Sequence, residues 1–265
     1  MKSKITKQYM ASEIILDSEL SYEKKKSSNV AVIFAGGSGR RMNNDGKPKQ
    51  FLALKGKPII IYTLELFEAQ PEIDGIIVVC LKTWISELQK LIEKFHITKV
   101  KSIVAGGSTG QESIYNGLVE ASKLYDENSV VLIHDGVRPL ISSNTIHENV
   151  IATREYGSCI TCIKTTETFV VSQKDGMLSI PERKDSLIAR APQSFILKDI
   201  LAAHIVARKE NRNDFIDSCS MMNHYGYRLH TVLGPIENIK ITTPMDYFIF
   251  KTMFEVHEIQ QVFGF

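Results

Sequence analysis

From Val30 onward the apolar residues of this chain switch period repeatedly, and that switching restricts the fold more than any other feature. The run "VAVIF" is short, β-rich and followed by glycines, as expected of a strand buried on both faces. In "TWISELQKLIEKF", Trp84, Ile85, Leu88, Leu91, Ile92 and Phe95 recur at helical spacing and form one apolar face. The runs "GIIVVCL", "KSIVA", "SVVLIHD" and "SCITCI" then lie between helical patterns such as "ESIYNGLVEASKLY" and "NTIHENVIATREY". Strand and helix in alternation predict an α/β fold of Rossmann-like type, a mostly parallel sheet with helices on both faces. The rhythm breaks at 165–190, which read as a two-stranded β-arm turning at Lys174-Asp175-Gly176. Helical patterns at 197–209 and 214–225, a strand near 227–233 and a last helix from about 244 follow. Because the pattern resumes, the arm is an insertion in one domain spanning 29–265. Residues 1–28, with scattered apolar residues and a Lys24-Lys25-Lys26 run, predict a poorly ordered tail.

Charge and cysteine usage remove several function classes. A net charge of +2 over 265 residues gives no general attraction to nucleic acid or a membrane surface, so any basic site is local. No apolar run approaches the ~18 residues of a membrane span, and no signal-peptide core is present. Four cysteines (Cys80, Cys159, Cys162, Cys219) are too few for a disulfide framework in a chain this long. A cytoplasmic protein is expected.

Ligands of open α/β sheets bind beyond the carboxyl ends of the strands, and three of those ends carry unusual residues. Ala35-Gly36-Gly37-Ser38-Gly39-Arg40-Arg41 follows the first strand, with Lys47 and Lys49 after it. Ala105-Gly106-Gly107-Ser108-Thr109-Gly110 and His134-Asp135-Gly136-Val137-Arg138-Pro139 follow two later ones. The first loop is not a dinucleotide fingerprint, because Met42 stands where the third glycine belongs. Nor is it a P-loop, since Arg41 replaces the first glycine and Pro48 follows Lys47. What remains is a loop whose backbone N–H groups can approach an anion, flanked by four cations. A glycine turn with solvated basic residues is the alternative for this loop taken alone.

Five motifs in this order, "AGGSGRRM" with "KPKQFL", "HDGVRP", "APQSF" and "NIKITTP", resemble the methylerythritol-4-phosphate cytidylyltransferases and their ribitol-5-phosphate relatives of teichoic-acid synthesis. The resemblance covers 30 to about 250. It implies transfer of CMP from CTP to an alcohol phosphate with Mg²⁺ as cofactor. Arg41 and Lys49 match the family's transition-state stabilisers, and Lys240 and Arg183 match groups that orient the incoming phosphate. Phe34, Ala35, Gly36, Gly37, Gly39, Gly106, Gly107 and Ser113 match the nucleotide-binding positions. Asp135 would sit beside the metal and triphosphate, with Arg138, Thr168 and Asp217 near the alcohol phosphate. Family members are homodimers whose arm reaches the neighbouring subunit. A phosphate monoester is already mostly dianionic at neutral pH, so the absence of an obvious catalytic base is no objection.

Two departures bear on the acceptor: Gly110 stands where relatives usually carry arginine, and Ala191 where many carry threonine. The segments "TWISELQKLIEKFHIT", "SIPERKD" and "PQSF" resemble the ribitol-phosphate branch, so ribitol 5-phosphate is the first expectation, with methylerythritol 4-phosphate or another alditol phosphate behind it. Gly106 to Gly110 also satisfies G-x-S-x-G between a strand and a helix, with His230 downstream, so an α/β serine hydrolase using Ser108 is a competing enzyme reading. A non-catalytic nucleotide-binding regulator is a third, separable by pyrophosphate release. Cys159 and Cys162 form C-x-x-C on a strand, where they point to opposite faces and suit no shared metal.

Overall fold

The computed structural model describes residues 25–37 and 47–263. Its centre is a seven-stranded sheet of order β11-β7-β10-β6-β1-β4-β5. The strands are β1 (Asn29–Ala35), β4 (Gly75–Cys80), β5 (Val100–Ala105), β6 (Val130–Asp135), β7 (Ser158–Lys164), β10 (Leu187–Ile196) and β11 (Thr231–Leu233). β1 pairs in parallel with both β4 and β6, and every strand is parallel to its neighbours except β10, which runs antiparallel between β6 and β7. β2 (Ala53–Leu54) and β3 (Lys57–Pro58) form a short ribbon beside the sheet, and β8 (Val171–Ser172) pairs with β9 (Leu178–Ser179) in the arm.

Seven helices cover the described sheet: α1 (Ile59–Glu68), α2 (Ile85–Lys94), α3 (Gly110–Leu124), α4 (Ser143–Tyr156), α5 (Leu197–Lys209), α6 (Ser218–His224) and α7 (Pro244–Phe263). The period-2 alternation of β1 sends Ala31 and Ile33 to the face covered by α1, α2 and α4, and Val30 and Val32 to the face covered by α3, α5 and α6. Thr109 caps α3 by accepting the Glu112 N–H at 3.0 Å, and Ser142 caps α4 through Thr145 N–H. Gly157, at φ 84°, ends α4 in the left-handed conformation that favours glycine. α3 lies so close to the sheet that a Cβ on Gly117 would meet Val32 Cγ1 at 2.6 Å. α7 packs Phe250 against Ile59, Tyr62 and Leu54, bracing the ribbon that follows Lys49. No helix among the described residues is long and apolar enough to cross a membrane.

The mostly parallel sheet, the helices on both faces and the hairpin agree with the reading of the sequence. Four boundaries differ. Residues 187–190 belong to β10 rather than to the arm, because 187–189 already pair with β7. The helix expected over 214–225 begins only at Ser218, since Asp217 is extended and its carboxylate accepts the Ser220 N–H to cap it. The strand expected from 227 is confined to Thr231–Leu233. Residues 25–28, placed in the tail, are tied to the domain: Lys25 Nζ donates to Ser122 O, and Ser28 N–H to Ser129 Oγ. The rest of that tail, 1–24, lies outside the described residues.

Candidate active site

Asp135 ends β6 at the middle of the sheet and is almost wholly buried. Its Oδ2 accepts Arg138 Nε at 2.7 Å, and its Oδ1 pairs with Lys240 Nζ at 2.5 Å. Burial alone would raise the carboxyl pKa, but Lys240 and Arg138 outweigh it and hold the group down at about 2. Asp135 is therefore an anion that fixes two cations. Lys240 also lies over the Phe34 ring, 5.7 Å from its centroid.

Residues 238–241 return to this rim from β11 and bind it together with main-chain groups. Asn238 O accepts Arg138 Nη1 at 2.9 Å, Ile241 N–H donates to Val137 O at 3.0 Å, and Ile241 O accepts Lys49 Nζ at 2.8 Å. Asn238 is itself fully buried, and its Nδ2 donates to Ala191 O at 2.7 Å. Asp246 accepts the N–H groups of Thr242 and Thr243, which fixes the end of the same stretch at the start of α7.

On the other side of Asp135 the two glycine loops meet. Gly36 and Gly106 approach so closely that a Cβ on Gly106 would stand 3.4 Å from Gly36 Cα and 3.1 Å from Ser113 Oγ. Ser113 Oγ accepts Gly107 N–H at 3.1 Å and donates to Thr109 O at 2.8 Å. Gln50, 1% exposed, donates Nε2 to Ala35 O at 2.6 Å and to Gly37 O at 3.2 Å, tying down the described start of the first loop. The result is a slot walled by backbone, next to a rim of cations.

Of the residues singled out in the sequence, Phe34, Ala35, Gly36, Gly37, Lys49, Gly106, Gly107, Ser113, Asp135, Arg138 and Lys240 lie in these two adjoining regions. Arg41 and Gly39 lie outside the described residues. Arg183 and Thr168 are together on the arm, joined by a 3.2 Å hydrogen bond, and among the described residues neither bonds to the Asp135 group. Asp217 is a helix cap whose Oδ2 also accepts Gln193 Nε2 at 3.0 Å. Gln50 and Asn238 stood inside recognised motifs, yet nothing in the sequence showed that they carry the loops.

The Ser108 elbow fails on geometry. Ser108 Oγ donates to Glu112 Oε2 at 2.7 Å, while His230 stacks on Tyr156 beside β11, the strand at the opposite edge of the sheet from β5. Six strand spacings, about 28 Å, separate those edges. Cys159 and Cys162 are free buried thiols, and burial pushes the Cys159 pKa up to about 12. His134, behind Asp135, is held down at about 4 chiefly by burial, and its Nε2 donates to Arg138 O at 3.2 Å. It is neutral and fully buried, with Nδ1 lacking a partner in the core, so it reaches no ligand as a base.

The model of the family described as 2-C-methyl-D-erythritol 4-phosphate cytidylyltransferase (IspD) matches residues 29–255. The chain belongs to this family. It is 54% identical over 237 residues to a ribitol-5-phosphate cytidylyltransferase of Vibrio parahaemolyticus, covering 89% of this chain and all of that one. A 2-C-methyl-D-erythritol 4-phosphate cytidylyltransferase of Clostridium botulinum is 38% identical over 221 residues, 83% of this chain and 94% of that one. Among solved structures, the 4-diphosphocytidyl-2C-methyl-D-erythritol synthase of Anaerococcus prevotii superposes with a TM-score of 0.72 at 28% identity, covering 86% of this chain and 96% of that one. A cytidylyltransferase of this family accounts for the backbone slot and for the cation rim beside it.

A magnesium ion fits the site only as a companion of the triphosphate. Among the described residues no three His, Cys, Asp or Glu side chains cluster to hold a metal, and Asp135 is a single carboxylate with both oxygens engaged. Mg²⁺ needs no more than one or two carboxylates when substrate phosphates and water complete its shell.

Two buried histidines contribute to the acid sensitivity of the fold. His134 and His204 both sit near pKa 4 because burial disfavours the charged ring, against 6.5 in the unfolded chain. The unfolded state binds more protons between those values, so the contribution of these rings is complete above pH 6.5 and falls as the pH drops toward 4, by about 1.4 kcal/mol per pH unit for each ring. His204 has no partner on either ring nitrogen, so His204→Leu should be close to wild type at pH 7.5. Its urea-unfolding free energy should lose one proton's worth of pH dependence between 6.5 and 4; an unchanged slope would contradict the assignment.

Proposed function

We propose that this chain transfers CMP from CTP to ribitol 5-phosphate, forming CDP-ribitol and pyrophosphate. The observation that carries the choice of acceptor is the 54% identity to a ribitol-5-phosphate enzyme along its whole length, against 38% for a methylerythritol enzyme. In the reaction a phosphate oxygen of ribitol 5-phosphate forms a bond to the α-phosphorus of CTP. The bond from that phosphorus to the bridging oxygen breaks, and pyrophosphate leaves with the electron pair. The barrier lies in bringing two polyanions together and in the charge that gathers on a five-coordinate phosphorus, which preorganised positive charge lowers.

The slot of Phe34, Ala35, Gly36, Gly37, Gly39, Gly106, Gly107 and Ser113 binds the cytidine and the start of the triphosphate. Backbone groups there cannot follow a larger base without loop movement, which favours CTP over purine triphosphates. Lys49, held by Ile241 O, and Arg41 stabilise the charge at the α-phosphorus. Lys240 and Arg138, oriented by Asp135, receive the alcohol phosphate. Asp135 is the residue that would hold Mg²⁺ on the protein side, and the ion, when bound, neutralises triphosphate oxygens as a Lewis acid. Asp217 acts through Gln193, shaping the wall below Pro192.

The arm suits exchange between two copies of residues 29–265, each a single nucleotidyltransferase domain. Val170, Val171, Met177, Leu178 and Ile180 are all exposed on it, and Arg183 with Thr168 is displayed beside them. A homodimer in which each arm supplies Arg183 and Thr168 to the neighbouring site covers those side chains. The four free thiols and the use of CTP fit the cytoplasm.

Pyrophosphate release with CTP and Mg²⁺ should be fastest with ribitol 5-phosphate, slower with other alditol phosphates and with methylerythritol 4-phosphate, and minimal with ATP or GTP. Preference for methylerythritol 4-phosphate would move the chain to the other branch, and equal use of a purine triphosphate would overturn the slot assignment. Arm exchange is tested by mixing Arg183→Ala with Lys240→Ala protein, each nearly inactive alone. Heterodimers contain one intact site, so part of the activity should return. No recovery after verified subunit exchange would confine the arm to its own subunit.

A further inference from the structure

Arg190 lies on β10, outside every motif that marks the site. Its Nη1 donates to Asn238 O at 3.2 Å, the same carbonyl that accepts Arg138 Nη1. Its Nε is buried and has no partner, and no acidic residue among the described ones pairs with it. Two guanidinium groups thus converge on one oxygen, and the single carboxylate nearby already has both of its oxygens on Arg138 and Lys240. Burial, and then the charge of Arg138, push the Arg190 pKa down, as expected of a cation lacking an anion. Asn238 also grips Ala191 O, next in sequence to Arg190, so the convergence is built into the backbone.

Three cations to one carboxylate leave an excess of two positive charges, which is the charge of a phosphate monoester dianion. The sheet order says which phosphate. β10 and β1 flank β6 on opposite sides. The nucleotide loop and Lys49 lie on the β1 side, and Arg190 is on the β10 side. We propose that Arg190 binds the phosphate of the acceptor alcohol together with Arg138, as a two-arginine clamp approaching the α-phosphorus from the β10 side. This rests on the cytidylyl-transfer reading above and adds a binding residue to it. The two guanidinium groups meet at Asn238 O, so their remaining Nη N–H groups can donate to separate phosphate oxygens.

The test uses the full-length enzyme with Arg190→Gln and Arg190→Lys. Loss of a charged hydrogen bond predicts that Arg190→Gln raises the KM for ribitol 5-phosphate about 10- to 100-fold. The KM for CTP should stay within about twofold. Arg190→Lys should recover part of the loss, since it restores charge without the guanidinium. Inorganic phosphate should compete with ribitol 5-phosphate in the wild type, and its inhibition constant should rise in parallel in Arg190→Gln. An unchanged KM for the acceptor in a folded variant, or a rise confined to CTP, overturns the proposal. If Arg190→Gln does not fold, Arg190→Lys decides by the same two constants. If the wild type uses no alcohol phosphate at all, the reaction is misassigned, and binding of inorganic phosphate, measured calorimetrically in wild type and variant, still tests the clamp.

Discussion

The buried carboxylate of Asp135 is the contact about which the site is arranged. It ends the central strand of a parallel sheet, where the backbone leaves the core and side chains first meet the ligand cleft. A buried carboxylate is costly unless charges of opposite sign and good geometry surround it. Here one oxygen faces a guanidinium and the other an ammonium, and both cations are in turn positioned by a segment almost at the end of the chain. Such a pair is weak evidence for stability in its own right. Its consequence is positional, since it fixes two cations that would otherwise sample solvent on long side chains.

Residues 238–241 extend that order sideways. One stretch of four residues touches Lys49 from the first loop, Val137 and Arg138 from the turn after β6, and both Arg190 and Ala191 from β10. Three segments far apart in sequence are thereby held in one frame largely by backbone carbonyls, which do not change rotamer. Electrostatic stabilisation of a transition state requires this kind of frame, because a donor that must reorganise during the reaction loses much of its effect. At the rim, Asp135 is held as an anion by two cations and His134 is buried and neutral, which suits a nucleophile that arrives already ionised.

Strands with strong β-branched runs and helices with a clear apolar stripe were legible in the sequence, since period and burial coincide there. α1 was not, because "IIIYTLELFE" buries seven of its ten residues and so lacks a polar face to set the period. β10 was hidden for another reason: its residues carry an arginine, a proline and a glutamine that read as loop and motif, and only pairing between β6 and β7 makes them a strand. Motif order singled out Asp135, Arg138, Lys240 and Lys49, whose side chains the structure gathers about one rim. Gln50, Asn238 and Arg190 escaped because their importance comes from what they touch across long sequence separations, which no local pattern encodes. Asp217 illustrates the reverse, an acid marked by its motif whose oxygens the structure assigns to capping α6 and holding Gln193.

The most direct test of preorganised positive charge is Lys49→Ala, measured by single-turnover rate and by CTP affinity in the same preparation. Lys49 is anchored by a carbonyl rather than buried in the core, so its loss leaves the frame standing. A group that acts mainly on the transition state should lower the rate by about 10²–10³, some 3–4 kcal/mol, while the Kd for CTP changes only a few-fold. A normal rate at saturating CTP with a large loss of affinity would mean that the lysine merely binds the nucleotide, and that the charge on the α-phosphorus is stabilised elsewhere.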